Sequence, residues 1–404
     1  MITGPLGSST TGNHPTDPAA HGLNIGFYGW KPVATRSGSN HALYSAGPRQ
    51  FMSRIAYVMR APVSAIKLRF DNWASAQDTE AVGTSPVTYY ASLEYPIGTI
   101  AGLFTFGGAN NVAVEPGSHV FTDALNVAIP RGARFALRTF ADGPSGICND
   151  SYAPGDLAGA TIDVCNYGAT VANVYDSTAA ITVTSRTAAC RPTAVLGQTS
   201  AICIGVIGDS RAKGTLDSAS DFFGGIGEIN KRLSRKYLTL TVAEGGTRMT
   251  NAATSSGWDK RISLLNTYCD LIVTNHGIND LNNGVTAASL ITALATLRAR
   301  LGNKPLYACT VAPYTTSTDG WTTLGNQTVK SWEAQRVSFN DKLRAGETAA
   351  SGVIELADVV ESARNDGKWK ADGVTAGLYT SDGLHESKFA YDAISNSGIF
   401  DQVL

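Results

Sequence analysis

Between about residues 25 and 190, apolar and polar positions alternate over short runs. In "SAIKLRF" (64–70), Ile66, Leu68 and Phe70 alternate with Lys67 and Arg69, and "RFALRTF" (134–140) and "AAITVTSR" (179–186) do likewise. A period of two puts successive side chains on opposite faces, so each run predicts a strand with one buried face. Gly, Pro, Asn and Asp separate the runs and supply turns. No helical stripe interrupts them, which predicts an all-β sandwich of jelly-roll-like form over 25–194. Residues 1–24, rich in Gly, Ser, Thr, Pro and His, predict a flexible lead-in.

The period changes after "CRPTAVLGQTS" (190–200). Four short apolar runs, "AICIGVI", "LTLTVA", "DLIVTN" and "PLYACTV", read as parallel strands buried on both faces. Between the last two, Leu290, Leu294, Leu297 and Leu301 recur at helical spacing. Val329, Trp332, Phe339 and Leu343 predict a second stripe, with Trp332 in the core. Strand and helix alternating over 195–404 predict a doubly wound α/β sheet, in which ligands bind beyond the carboxyl ends of the strands.

Composition narrows the function more by exclusion than by direction. The chain has 404 residues, a net charge of −1 and 16% charged residues, so it carries no electrostatic footprint for nucleic acid. No apolar run reaches the roughly 18 residues of a membrane span. No basic segment followed by an apolar one marks a signal peptide near the start, where "GPLGS" (4–8) resembles the remnant of a cleaved tag. An extracellular or virion-associated setting is expected over a cytoplasmic one. The six cysteines have no metal-ligand spacing. Cys148 and Cys165, bracketing a Gly/Asp-rich loop, can pair if the protein is exported, and Cys269 and Cys309 are expected to be buried.

Four blocks then follow one another at strand ends: "GDS" with Ser210, "AEGGTR" with Gly245 and Gly246, "HGIND" with Asn279, and "SDGLHES" with Asp382 and His385. Ser210 does not sit in a G-x-S-x-G elbow, because Ala212 stands at the second glycine. A serine hydroxyl needs a base to remove its proton, which His385 can supply. A carboxylate beyond the imidazole fixes its tautomer, and Asp382 reaches it if "DGLH" begins a helix. The oxyanion needs preorganised donors, available from the backbone N–H groups of Ser210 and the glycines and from the Asn279 amide.

These four blocks, in this order, resemble the SGNH hydrolases, the GDSL-type esterases and lipases, over roughly the last 205 residues. The resemblance implies a three-layer α/β/α fold acting on esters without metal or organic cofactor. Ser210 matches the nucleophile of G-D-S, Asn279 the asparagine of G-x-N-D, and Asp382 with His385 the D-x-x-H pair. Gly246 aligns with the oxyanion glycine, with Gly245 adjacent as the alternative. Arg211 replaces the leucine of the fuller G-D-S-L form. Asp209 is expected to organise the turn. Arg211, Tyr314 and Trp321 are candidates for lining the acyl or alcohol pocket, each with a structural role as the alternative, and His276 is expected to be structural or substrate-lining and not catalytic.

The expected function is a serine esterase removing short acyl groups, acetyl above all, from a saccharide or small ester, with the sandwich holding a glycan or shaping the cleft. The alternatives are a lipase-like carboxylesterase for longer chains and a glycan-binding or virion-surface protein with a relict hydrolase fold.

Overall fold

The computed structural model describes residues 28–36, 42–43, 49–144, 148–151, 162–184 and 188–401. The lead-in expected over 1–24 lies outside them. Within the amino-terminal half, two antiparallel sheets face each other. In the first, Ala194–Thr199 runs between Gly29–Ala34 and Val63–Asp71, and His119–Phe121 and Leu125–Ile129 also pair with Val63–Asp71. In the second, Val164–Gly168, Arg49–Val58, Arg134–Gly143, Val87–Glu94 and Ile100–Phe104 are successive neighbours. Ile66, Leu68 and Phe70 from one sheet and Ile55, Tyr57, Leu93, Phe135 and Leu137 from the other form one buried cluster. Across it the rings of Phe70 and Tyr89 stack with centroids 4.7 Å apart. This is the expected sandwich.

The carboxyl-terminal half is built on five parallel strands in the order Leu238–Thr241, Cys203–Ile207, Leu271–Thr274, Leu306–Cys309, Gly352–Ile354. Numbered along the chain that order is 2-1-3-4-5, so the winding reverses between the first and third strands. Successive strand residues feed opposite helical layers. Ile204, Val206, Leu271 and Val273 pack with Ile229, Leu233, Ala390 and Ile394 on one face. Ile207, Ile272 and Leu306 pack with Leu264, Leu290, Leu294, Leu297 and Phe339 on the other. The result is a three-layer α/β/α arrangement.

Several expectations change on contact with the tertiary structure. Ala194–Thr199 is a sandwich strand, so the changeover between sheets falls at 200–202 and not at 195. A short apolar run looks alike in either sheet. Within "AAITVTSR" the described residues, 179–184, form no strand. Ile181 instead packs beside Met52, Phe140 and Tyr175. Val329 belongs to the strand Gln327–Val329 and half-buried Trp332 precedes the helix Glu333–Arg344, which leaves Phe339 and Leu343 as the fully buried part of that stripe. The leucine helix spans Ala287–Arg300, with all four leucines buried. Cys165, Cys190, Cys203, Cys269 and Cys309 are buried, while the Cys148 side chain lies outside the described residues.

The two halves are bonded to each other. Lys31 Nζ meets Asp270 at 2.8 Å and the Thr35 hydroxyl donates to the Thr239 carbonyl at 2.7 Å. Arg69, polar in the alternating pattern, is nevertheless buried. It pairs with Asp71 at 2.8 Å and its guanidinium lies 5.9 Å from the Tyr268 ring, because the α/β half covers the outer face of this sheet.

Candidate active site

Ser210 opens a single helical turn, Ser210–Lys213, immediately beyond the first parallel strand. Asp209 caps that turn, its carboxylate accepting from Arg211 N–H at 3.0 Å. Asn275, at the end of the third strand, clasps Asp209 from the other side. Its amide donates to the carboxylate at 2.8 Å and its carbonyl accepts from Asp209 N–H at 3.1 Å. The turn carrying Ser210 is thereby tied to the neighbouring strand at the point where the winding reverses.

Asp382 and His385 reach the same point from far along the chain. His385 Nε2 stands 2.8 Å from Ser210 Oγ, and His385 Nδ1 stands 2.7 Å from Asp382 Oδ2. The expected helical turn is not what joins them. The other Asp382 oxygen accepts the backbone N–H of Leu384 at 2.8 Å and of His385 at 2.7 Å, an Asx turn, and the helix begins later at Lys388. Partial burial works to raise the Asp382 pKa, but the hydrogen bonds from the His385 ring and these two N–H groups prevail and hold it well below the usual carboxylate range. An ionised Asp382 only accepts, so the proton sits on Nδ1 and leaves Nε2 to accept from the Ser210 hydroxyl.

Gly245, Gly246 and Asn279 are the candidate oxyanion donors on this rim. Gly245 lies against Ser210, since a Cβ built there would meet Ser210 Cβ at 3.9 Å, but the Gly245 N–H donates to the Glu244 carboxylate at 2.8 Å. The Gly246 N–H has no acceptor among the described residues. Gly246 has φ +74°, a conformation that favours glycine. Asn279 lies in the first turn of the helix Ile278–Asn282, and its amide nitrogen donates to the Thr247 carbonyl at 3.0 Å, which leaves one amide hydrogen for another acceptor. All four blocks stand on one rim, on either side of the winding reversal. The chain has a three-layer α/β/α fold with its candidate site at the switch point of the parallel sheet.

No family model matches the chain, and no curated protein matches it in sequence. Among solved structures it is similar to a GDSL-like lipase from Bacteroides thetaiotaomicron at a TM-score of 0.35 and 13% identity, over 50% of this chain and 89% of that one. A lipase/acylhydrolase from Enterococcus faecalis is similar at a TM-score of 0.33 and 18% identity, over 50% of this chain and 94% of that one. A family two carbohydrate esterase from Clostridium thermocellum, an active-site mutant, is similar over 93% of this chain and 97% of its own, at 13% identity and a TM-score of 0.33.

The residues expected to line the pocket divide. His276 is only 1% exposed, between Thr247 and Thr274 and edge-on to Trp258, and burial lowers its pKa. It is structural and cannot touch a ligand. Arg211 is likewise only 2% exposed, donating to the carbonyls of Leu384 at 2.8 Å and Pro313 at 2.7 Å. Its length serves to pin the His385 loop, and the burial leaves none of it for a substrate. Tyr314 and Trp321 remain half-exposed, and Trp321 packs beside Gly383, next to Asp382.

Sequence patterns did not single out the two acids behind this site. Glu228 and Glu386 are buried, Arg211 approaches Glu386 at 3.9 Å, and neither Glu386 oxygen nor Glu228 Oε2 has a hydrogen-bond partner among the described residues. Burial, then the proximity of Glu386, raises the Glu228 pKa well above the usual range. An acid raised by folding contributes stability that is present below its unfolded pKa and lost as pH rises through the folded one. Glu228→Gln, neutral at every pH, is therefore expected to melt higher than wild type at about pH 8 but not at about pH 4. Melting curves at both pH values check this, and an equal difference at both would refute it.

Proposed function

We propose that the protein is a serine ester hydrolase that removes short acyl groups, acetyl foremost, from a saccharide. The relay from Ser210 Oγ to His385 Nε2 at 2.8 Å and from Nδ1 to Asp382 at 2.7 Å carries this reading. Ser210 Oγ attacks the ester carbonyl as its proton passes to His385 Nε2. The carbonyl oxygen becomes an oxyanion held by the N–H groups of Ser210 and Gly246 and by the free Asn279 amide hydrogen. Collapse breaks the bond to the alcohol, which leaves with the proton from Nε2. Water then enters, gives a proton to His385 and attacks the acyl-enzyme. Collapse breaks the bond to Ser210 Oγ, which recovers its hydrogen from His385 Nε2, and the carboxylic acid departs and loses its proton to water. Asp382 stays ionised and stabilises the imidazolium formed in each half.

The rim favours a saccharide over a lipid. Its segments "RAKGTLDSAS", "GTRMTNAATSSG" and "PYTTSTDGWTTLGNQT" are rich in Ser, Thr, Asn and Gly, and the third adds Tyr314 and Trp321. Such loops offer hydroxyl hydrogen bonds, and half-exposed Trp321 beside the Asp382 turn offers a face for a sugar ring. With chromogenic esters of increasing chain length, activity is expected to fall steeply from acetyl to butyryl, and an acetylated polysaccharide is expected to release acetate. Preference for octanoyl or longer esters with no acetate release would replace this reading with the lipase-like one.

A further inference from the structure

The rim is not made by the α/β half alone. The hairpin formed by Trp73–Ala76 and Thr79–Val82 leaves the sandwich and ends on the loop that carries Gly246. Its tip is Gln77, with φ +48°, a left-handed conformation in which a non-glycine residue other than Asn or Asp is uncommon. Everything around Gln77 is fastened. Its own carbonyl accepts from Arg261 Nη1 at 2.8 Å. The Asp78 carboxylate accepts from Arg248 N–H and Nε, each at 3.1 Å, and from the Asn251 amide at 2.6 Å. Glu80 accepts the backbone N–H of Lys260 at 2.9 Å and of Arg261 at 2.8 Å.

The Gln77 side chain is the exception. It is exposed, it has no hydrogen-bond partner among the described residues, and Nε2 lies 2.5 Å from where a Cβ on Gly246 would stand. Gly246 thus does two things at once: it takes a positive φ, and it leaves the space that the Gln77 amide fills. A backbone held in an uncommon region by surrounding bonds, with its side chain laid against the Gly246 loop and left unpaired, fits a positioned functional group.

We propose that Gln77 is a substrate-binding, specificity-determining residue, and that the sandwich builds one wall of the active site through this hairpin. The proposal rests on the esterase reading above. The chemistry of an acetyl ester says what the amide meets. The acyl side offers a methyl group, and the carbonyl oxygen is already served by Ser210, Gly246 and Asn279. What is left for an amide is a hydroxyl on the alcohol side, which a sugar has and a simple aryl ester lacks.

The test compares an acetylated xylo-oligosaccharide with p-nitrophenyl acetate, using the full chain. Gln77→Gly accepts φ +48° without strain and keeps the carbonyl that Arg261 binds. Gln77→Asn tolerates the same backbone but stops one carbon short. In both variants the ratio of kcat/KM on the saccharide to kcat/KM on the aryl ester is expected to fall about tenfold, through KM, the size of one lost hydrogen bond. Equal losses on the two esters, a loss confined to kcat, or an unchanged ratio would overturn the assignment. Failure of the wild-type protein to turn over either ester would overturn the esterase reading itself, and this proposal with it.

Discussion

Replacing Ser210 by alanine is expected to lower kcat/KM for an aryl acetate by on the order of 10⁴-fold or more. In the proposed mechanism no other group forms the covalent intermediate. In that mechanism His385 and Asp382 act on the one hydroxyl 2.8 Å from Nε2, so without it they have nothing to deprotonate. The residual rate would reflect only the oxyanion donors and substrate positioning. The fold should survive, because Ser210 holds its turn through its backbone and the cap is supplied by Asp209. A fluorophosphonate should label wild type at Ser210 and leave the variant unlabelled. Full activity in the variant, or labelling at another serine, would remove Ser210 from the role.

The second large effect is expected at Asn279. Asn279→Ala should lower kcat by about 10²–10³-fold with KM little changed, since the amide meets full negative charge only in the transition state. Its other amide hydrogen is fixed on the Thr247 carbonyl at 3.0 Å, so the donor is held in place before the oxyanion forms. That hydrogen bond also joins the Asn279 block to the loop following Gly246. Some loss of thermal stability should therefore accompany the variant. A rise in KM at unchanged kcat would instead make Asn279 a ground-state binding residue.

Much of the α/β half was legible because its signals are local. Runs such as "ICIGVI" and "DLIVT" are buried on both faces, and parallel strands capped by helices need that pattern wherever they occur. Ser210, Gly246, Asn279, Asp382 and His385 were named from blocks of a few residues each, and the structure brings all of them to one rim. The strand order 2-1-3-4-5 supplies the reason: it puts the ends of the first and third strands side by side.

Arg69 is buried where the alternating pattern put it on the outer face, and Arg211 and His276 took the structural side of the readings open to them, all for a common reason. Periodicity and motif position report which way a side chain faces relative to its own element. They do not report what later covers that face. Arg69 looks like the solvent side of a strand until the α/β half closes over it, and Arg211 looks like a rim residue until the loops of Pro313 and Leu384 offer it two carbonyls. The turn at Asp382 is a related case, since Asx turn and helix start share the spacing D-x-x-H and only the backbone hydrogen bonds separate them. Gln77 is the clearest instance. Nothing within "WASAQDTEAV" marks it, and its place beside Gly246 exists only because Asp78, Glu80 and Arg261 dock one half on the other. By itself the sequence determined an antiparallel sandwich followed by a parallel sheet, their strand character and the residue types of a Ser-His-Asp relay. The tertiary structure alone decided which polar side chains were buried and which remained open at the rim, because burial depends on contacts between segments more than a hundred residues apart.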